Sequence, residues 1–161
     1  MDFNYRYNLV DTDKQTLREL LVSTGFFYDY EIQVAIELVE TTLEKGEASS
    51  GYQFIIAEDN DKILGFSCFG ATPCTKDSYD IYWIAVNKDM INKGIGGQIL
   101  FHTEEKIYKN GGRHIWVETS SRAIYVPTRE FYRKKGYEIK ARLPDFYGPG
   151  DNKVIFLKKC L

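Results

Sequence analysis

The stretch from residue 80 to residue 98 constrains the fold of this chain more than any other. Residues 80–86 have the sequence Asp-Ile-Tyr-Trp-Ile-Ala-Val, and residues 93–98 have the sequence Lys-Gly-Ile-Gly-Gly-Gln. An apolar run followed by closely spaced glycines predicts a buried strand, a tight turn and the start of a helix. Glycines let backbone N–H groups approach an anion, and a helix N-terminus adds about half a positive charge. The pattern therefore predicts a site for a phosphate or pyrophosphate group.

Length and charge limit the classes of protein to consider. The 161 residues suit one domain, residues 1–161, and the formal net charge is −2. This charge gives no basic field, so we expect neither nucleic acid nor an anionic membrane as a primary ligand. No apolar run approaches the ~20 residues of a membrane-spanning helix, and residues 1–4 lack the pattern of a secretory signal, so we expect a cytoplasmic protein.

The cysteines indicate neither a disulfide framework nor a metal site. Cys68, Cys74 and Cys160 are odd in number and lack C-x-x-C spacing. We therefore expect reduced thiols and no bound metal.

Hydrophobic periodicity and turn residues predict eleven elements in the order β-α-α-β-β-β-α-β-α-β-β. Alternation of Phe3, Tyr5 and Tyr7 predicts the first strand, and Thr12 with Gln15 predicts a capping box for a helix that reaches Gly25. The other predicted elements are a helix over 30–45 ending at Gly46, strands over 53–58, 63–70 and 78–86, a helix from the glycine turn to residue 110, a strand over 114–119 parallel to 78–86, a helix with Pro127 in its first turn ending at Gly136, and strands over 137–143 and 154–161 around a loop over 144–152.

This order and two motifs resemble the GNAT superfamily of acyl-CoA-dependent N-acyltransferases over essentially the whole chain. Gly94 and Gly96 match the family's pyrophosphate motif, although Ile91 stands where the family has Arg or Gln. Residues 131–137, Phe-Tyr-Arg-Lys-Lys-Gly-Tyr, look like the family's aromatic-Tyr-x-x-x-Gly-aromatic motif. The resemblance implies an α/β GNAT fold, with a mixed, mostly antiparallel sheet of about seven strands and four helices.

The resemblance also implies an acetyl-CoA-dependent N-acetyltransferase in which a primary amine of a small molecule or peptide attacks the thioester directly. Its cofactor site would be formed by Ile84, Ala85 and Val86 along the pantetheine arm and by Asn92, Lys93, Gly94, Ile95, Gly96 and Gly97 around the pyrophosphate, with Tyr125 where the family often has Asn. Family members commonly form homodimers, which is a further expectation from the resemblance.

Three side chains are candidates for proton transfer. By the motif match, Tyr132 falls on the family's general acid, and a phenol with a pKa near ~10 is protonated at neutral pH. Asp80, six residues before Val86, is one candidate base, and Glu118 near the end of the next strand is its rival. Each residue also has a structural interpretation, as a packed helix tyrosine or as a solvated strand end.

An amine acceptor arrives as a cation, so aromatic and acidic side chains indicate its site. The segment 26–31 and the loop over 144–152 carry both kinds of residue. The candidate acceptor contacts are Tyr28, Tyr30, Tyr82 and Tyr147.

Two other functions fit some of these features. A GNAT-like module could bind acyl-CoA as a sensor or regulatory subunit without turnover, which the Ile91 departure favours. A nucleotide-binding α/β domain also uses a glycine turn, but usually after its first strand and not its fourth.

Overall fold

The structure, a computed structural model, describes residues 3–160 as one seven-stranded sheet with four helices. The strands are β1 (Asn4–Arg6), β2 (Gln53–Asp59), β3 (Lys62–Ala71), β4 (Ser78–Val86), β5 (His114–Ser120), β6 (Glu138–Gly148) and β7 (Asp151–Lys159). The helices are α1 (Asp13–Thr24), α2 (Asp29–Ser50), α3 (Ile95–Lys109) and α4 (Val126–Lys134), with short 3₁₀ helices over Lys88–Met90 and Ala123–Tyr125. The predicted element order is confirmed; the end of the last predicted strand, Leu161, lies outside the described residues.

The sheet has the strand order β1-β2-β3-β4-β5-β7-β6. β4 and β5 run parallel, and every other neighbouring pair is antiparallel. The parallel pair arises because α3 connects β4 to β5 as a crossover, whereas antiparallel neighbours need only short connections. The predicted mixed, mostly antiparallel α/β sheet is confirmed.

Helices cover both faces of the sheet. Apolar side chains of α1 and α2 pack with one face of β2, β3 and β4, in a cluster that includes Leu17, Ile36 and Phe66. The other face packs against α3 and α4 through residues such as Leu100 and Tyr132. As a result β4 has side chains in both clusters: Ala85 packs with α1 and α2, and Ile81 packs with α3 and α4.

One local prediction is wrong. The capping box at Thr12 does not form, because Thr12 has helical backbone angles and Gln15 bonds Glu19 instead. The Asp13 carboxylate accepts the backbone N–H of Val10 at 2.8 Å and so supports the helix start. The predicted helix end at Gly46 is present as a break within α2: the backbone leaves the helical region there, at φ 77°, and a second short helical segment follows and reaches Ser50.

The loop predicted over 144–152 is largely part of the last two strands. β6 continues to Gly148, and Gly148 pairs with Asp151 across a turn formed by Pro149 and Gly150. Between this pair and the pair Leu143–Lys153, β6 has four residues where β7 has one. The extra residues form an irregularity that includes Phe146 and Tyr147, both about half exposed.

No helix within residues 3–160 combines the length and the apolar composition that a membrane crossing requires.

Candidate active site

The site begins where β4 and β5 separate. The two strands pair only from Ser78–His114 to Ile81–Val117, although β4 continues to Val86 and β5 to Ser120. Beyond Ile81 the edge of β4 that faces β5 therefore has backbone groups without a neighbouring strand, and such an edge can pair with an extended ligand. A cavity of about 950 Å³ lies in this opening.

A β-bulge shapes β4 at the opening. Cys68 pairs with Trp83 and Phe69 pairs with Ile81, so Tyr82 is an extra residue on β4. A bulge changes the alternation of side chains along a strand. As a result Ile81 packs with the α3 cluster while Trp83 packs with the α1 and α2 cluster, and both line the cavity.

The glycine turn closes one end of the cavity. Gly94 has φ +82°, a left-handed conformation that favours glycine, and it caps the N-terminus of α3. Gly94, Gly96 and Gly97 all line the cavity, as do Asn92 and Ile95. A helix N-terminus with no side chains at its first glycines presents backbone N–H groups to an anion, so these residues suit a pyrophosphate group.

Lys93 is placed differently from the other predicted cofactor residues. Its ammonium group lies 3.5 Å from the sulfur of Met90, and Lys93 does not line the cavity. Ile91, at the position of the family's Arg or Gln, does line it and is 44% exposed. The turn therefore has open backbone donors without a cationic side chain of its own in the cavity lining.

Tyr132 lies at the cavity with a buried ring. It is 2% exposed and packs against Phe131, Tyr137 and Phe156, with ring centroids 5.3–5.8 Å apart. Burial raises the pKa of the Tyr132 hydroxyl well above its usual value, and no hydrogen bond among residues 3–160 uses this hydroxyl. Tyr132 is thus a neutral donor, held rigidly, with its proton free for a ligand.

Asp80 is half-buried on β4 beside the same cavity. The hydroxyl of Thr72 donates a 2.6 Å hydrogen bond to its Oδ2. Burial raises the pKa of Asp80 above 3.8, the nearby charge of Glu118 raises it further, and the Thr72 hydrogen bond acts in the opposite direction. A carboxylate with a raised pKa is a better proton acceptor than an ordinary aspartate.

Glu118 lines the cavity, and its carboxylate forms an ion pair with Lys153. The ammonium of Lys153 lies 2.6 Å from its Oε2, and the Glu118 side chain is 49% exposed. Lys153 also lies over the ring of Phe146, 3.7 Å from its centroid. Glu118 is thus held in an ion pair and open to solvent, whereas Asp80 is half-buried with a raised pKa, so Glu118 is the weaker candidate base.

The four predicted acceptor tyrosines all line the cavity, and we call the part around Tyr28 and Tyr30 the acceptor end. Tyr28 and Tyr30 stack with centroids 5.4 Å apart, and Tyr82 and Tyr147 line the same space. Burial is the main cause that raises the pKa of Tyr82 and of Tyr147 to about 12, so both hydroxyls are protonated at neutral pH. Tyr125 is 8% exposed and also lines the cavity.

The cavity therefore brings together all predicted site residues except Lys93: Asp80, Glu118 and Tyr132; Ile84, Ala85, Val86, Asn92, Gly94, Ile95, Gly96, Gly97 and Tyr125; and Tyr28, Tyr30, Tyr82 and Tyr147.

Sequence reasoning missed Arg122. This residue follows β5, and its guanidinium contacts Tyr28, Tyr125 and Asp151 at the acceptor end. Polar residues just after the carboxyl end of a parallel strand often belong to a site, and that signal was available in the sequence.

Within residues 3–160, Arg122 is the only cation that lines the cavity, against four acids: Glu31, Asp80, Glu118 and Asp151. The acceptor end is therefore acidic and aromatic, which favours a cationic ligand.

A family model described as an acetyltransferase (GNAT) domain matches residues 50–139. The chain is also similar to a solved structure from Desulfovibrio desulfuricans, described as an acetyltransferase of the GNAT family. The two are 37% identical, with a TM-score of 0.95, over 98% of this chain and 99% of that one.

Two further similarities are more distant. The PaiA N-acetyltransferase of Thermoplasma acidophilum, solved in complex with coenzyme A, has a TM-score of 0.75 at 18% identity, over 99% of this chain and 100% of that one. An uncharacterised N-acetyltransferase of Bacillus subtilis is 33% identical over 69 residues, 43% of this chain and 45% of the relative. The match thus spans less than half the length of that relative.

Proposed function

Because this chain belongs to the GNAT acetyltransferase family, we propose that it transfers an acetyl group from acetyl-CoA to a primary amine. The proposal treats residues 1–161 as one catalytic domain. The acceptor is a small molecule or a peptide, and its amine attacks directly while both substrates are bound. No covalent intermediate on the protein is needed, so the cysteines have no role in the reaction.

The observation that carries this proposal is the separation of β4 from β5 directly beside the glycine turn. The free edge of residues 84–86 suits an extended pantetheine arm, and the α3 N-terminus suits a pyrophosphate at the end of that arm. A cavity of about 950 Å³ is at the upper end of the usual range for ligand pockets, which is consistent with a ligand as large as acetyl-CoA and an acceptor together. The residues present therefore fit the cofactor.

Acetyl-CoA, when bound, supplies a thioester whose carbonyl carbon accepts the amine. The chain's own residues hold and move protons around that reaction. Asp80 accepts the proton of the attacking ammonium or amine, directly or through water, since its pKa is raised by burial. Tyr132 gives its hydroxyl proton to the departing sulfur, since its pKa keeps it protonated and no neighbour competes for that proton.

Orientation and charge come from the surrounding residues. The backbone N–H groups on the free edge of β4 are candidates for holding the thioester oxygen, and one such donor contributes ~3 kcal/mol to transition-state stabilisation in known enzymes. At the other end, the aromatic rings of Tyr28 and Tyr30 and the acids of the cavity attract the cationic acceptor.

The first test is a thermal shift with acetyl-CoA, coenzyme A, ATP and NAD. A ligand at 100 times its Kd stabilises the folded state by ~2.7 kcal/mol, so coenzyme A species should raise the Tm and ATP and NAD should not. Stabilisation by ATP or NAD alone would contradict the proposal and support a nucleotide-binding domain.

The second test is acetyl transfer to a panel of amines, followed by mass spectrometry of the products. Release of the coenzyme A thiol gives a faster readout, with a no-acceptor control because Cys74 is exposed and reacts with thiol reagents. The alternative function is a non-catalytic acyl-CoA-binding module, favoured by the apolar Ile91 in the cavity lining. Binding of acetyl-CoA without transfer to any class of amine would support that alternative.

A further inference from the structure

A positive charge from a distant part of the chain lies over the first turn of α3. Lys135 directly follows α4, where its backbone N–H bonds the carbonyls of Phe131 and Tyr132. Its Nζ atom lies only 2.9 Å from the position that a Cβ on Gly97 would occupy, and its Cε lies 3.2 Å from that position. The ammonium of Lys135 therefore occupies the space that a side chain at residue 97 would need.

This placement is electrostatically unfavourable without an anion. The N-terminus of α3 carries about half a positive charge, and a cation near it is repelled. Three neighbouring cations are paired, Arg133 with Glu130, Lys140 with Glu138 and Lys158 with Glu104, whereas Lys134, like Lys135, is in none of the ion pairs among residues 3–160. Among residues 3–160, no carboxylate forms an ion pair with Lys135. The Lys135 ammonium, which is exposed, and the N-terminus of α3 both attract an anion.

The same location is where the pyrophosphate motif departs from the family pattern. Ile91 offers no donor, and the Lys93 ammonium contacts the sulfur of Met90. Neither Lys93 nor Lys135 is part of the cavity lining, but Lys135 lies beside a residue that is. Gly97, which does line the cavity, is the residue under Lys135. The missing side-chain contact of the motif can thus come from the end of α4.

We propose that Lys135 binds a phosphate group of coenzyme A at the N-terminus of α3 and replaces the contact that Ile91 cannot make. This inference rests on the proposed function, since it concerns the same cofactor site. It assigns a binding role to a residue of the second motif.

The test is calorimetric titration of the full chain with coenzyme A, at two salt concentrations, for wild type, Lys135→Gln and Lys135→Arg. A charged hydrogen bond to phosphate has a net value that corresponds to about a tenfold change in affinity or more. We expect Lys135→Gln to raise the Kd by about that factor and to weaken its salt dependence, and Lys135→Arg to retain most of the affinity. Lys134→Gln is the matched control, because it removes the same charge from the adjacent residue, which is exposed.

Shorter ligands identify the phosphate involved. If Lys135→Gln loses as much affinity for dephospho-coenzyme A as for coenzyme A, Lys135 contacts the pyrophosphate. If Lys135→Gln loses affinity for coenzyme A alone, Lys135 contacts the 3′-phosphate. A comparable loss for acetyl-pantetheine, which has no diphosphate, would overturn the proposal, because the effect would then be on the shape of the cavity.

Failure of this inference is distinguishable from failure of the proposed function. If the wild type does not bind coenzyme A, the proposed function itself is contradicted. If the wild type binds and Lys135→Gln binds equally well, or if Lys134→Gln loses as much affinity as Lys135→Gln, only the role of Lys135 is overturned.

Discussion

The guanidinium of Arg122 donates a 2.7 Å hydrogen bond to the hydroxyl of Tyr28, which is 94 residues away in the sequence. The same guanidinium lies over the Tyr28 ring, 4.8 Å from its centroid, and its Nε is 3.3 Å from a carboxylate oxygen of Asp151. Arg122 therefore joins three separate segments: the connection between α1 and α2, the segment after β5, and the start of β7. These contacts fix the acceptor end of the cavity.

We predict that Arg122→Gln impairs the acceptor site and spares the cofactor site. The KM for an acceptor amine should rise about tenfold, since loss of a well-placed charged hydrogen bond releases Tyr28. The Kd for coenzyme A should change less than the KM, because Tyr125 is the one predicted cofactor residue that Arg122 contacts within residues 3–160 and the glycine turn is untouched. Arg113→Gln, at an exposed arginine that lies over Tyr108, serves as the control. An unchanged acceptor KM together with weaker coenzyme A binding would contradict this prediction.

For Asp80 we predict opposite effects on activity and stability. Burial raises the pKa of Asp80 above its ordinary value of 3.8, so the folded state binds the carboxyl proton more tightly than the unfolded state does. The stabilisation from this protonated carboxyl is present below pH 3.8 and is lost as the pH rises through the raised pKa. Asp80→Asn should therefore raise the Tm at pH 7, and the gain should shrink toward pH 4. The same variant should lose the rise of kcat/KM with pH that an essential base produces. Melting curves and rate profiles at matched pH values measure both effects, and a lower Tm at pH 7 with an unchanged rate profile would be inconsistent with the assignment.

Glu118→Gln separates the two candidate bases. The charge of Glu118 is one of the causes that raise the pKa of Asp80, so its removal should move the rising limb of kcat/KM to lower pH without abolishing it. Complete loss of the rising limb would instead identify Glu118 as the base. Lys153→Gln provides a comparison, because it breaks the 2.6 Å ion pair from the other side and leaves the Glu118 charge uncompensated. That variant should move the limb in the opposite direction.

We expect Tyr132→Phe to lower kcat by about 10² to 10³, which is the usual contribution of a positioned acid, with little change in Tm. The Tm should hold because the Tyr132 hydroxyl has no hydrogen bond to lose among the described residues. Tyr137→Phe is the matched control: its hydroxyl donates to Glu104 at 2.9 Å, so its loss should cost about 1–3 kcal/mol of stability and spare kcat. Equal kcat values for wild type and Tyr132→Phe across the pH range would refute the acid role.

Local sequence signals predicted the parts of this protein that depend on near neighbours. The apolar run over 80–86 and the glycines at 94, 96 and 97 predicted a strand, a turn and a helix start, all of which the structure contains. The capping box predicted from Thr12 does not form, because the Thr12 side chain makes no capping hydrogen bond. The carboxylate of Asp13 instead accepts the backbone N–H of Val10. Gly46 correctly predicted a break in the helix, but the short helical segment that follows it to Ser50 was not predicted.

By itself, the sequence determined the order of the elements, the family resemblance and a set of candidate site residues of which all but Lys93 line the cavity, because periodicity and motif spacing are properties of adjacent residues. Only the tertiary structure decided how β4 and β5 separate after Ile81, that Lys153 pairs with Glu118, that Arg122 reaches Tyr28, and that Lys135 lies over Gly97. Each of these contacts joins residues far apart in the chain, and their distances depend on how the strands and helices pack together. The electrostatics of the site follow from that packing, because burial and charged neighbours set the pKa of Asp80 and Tyr132.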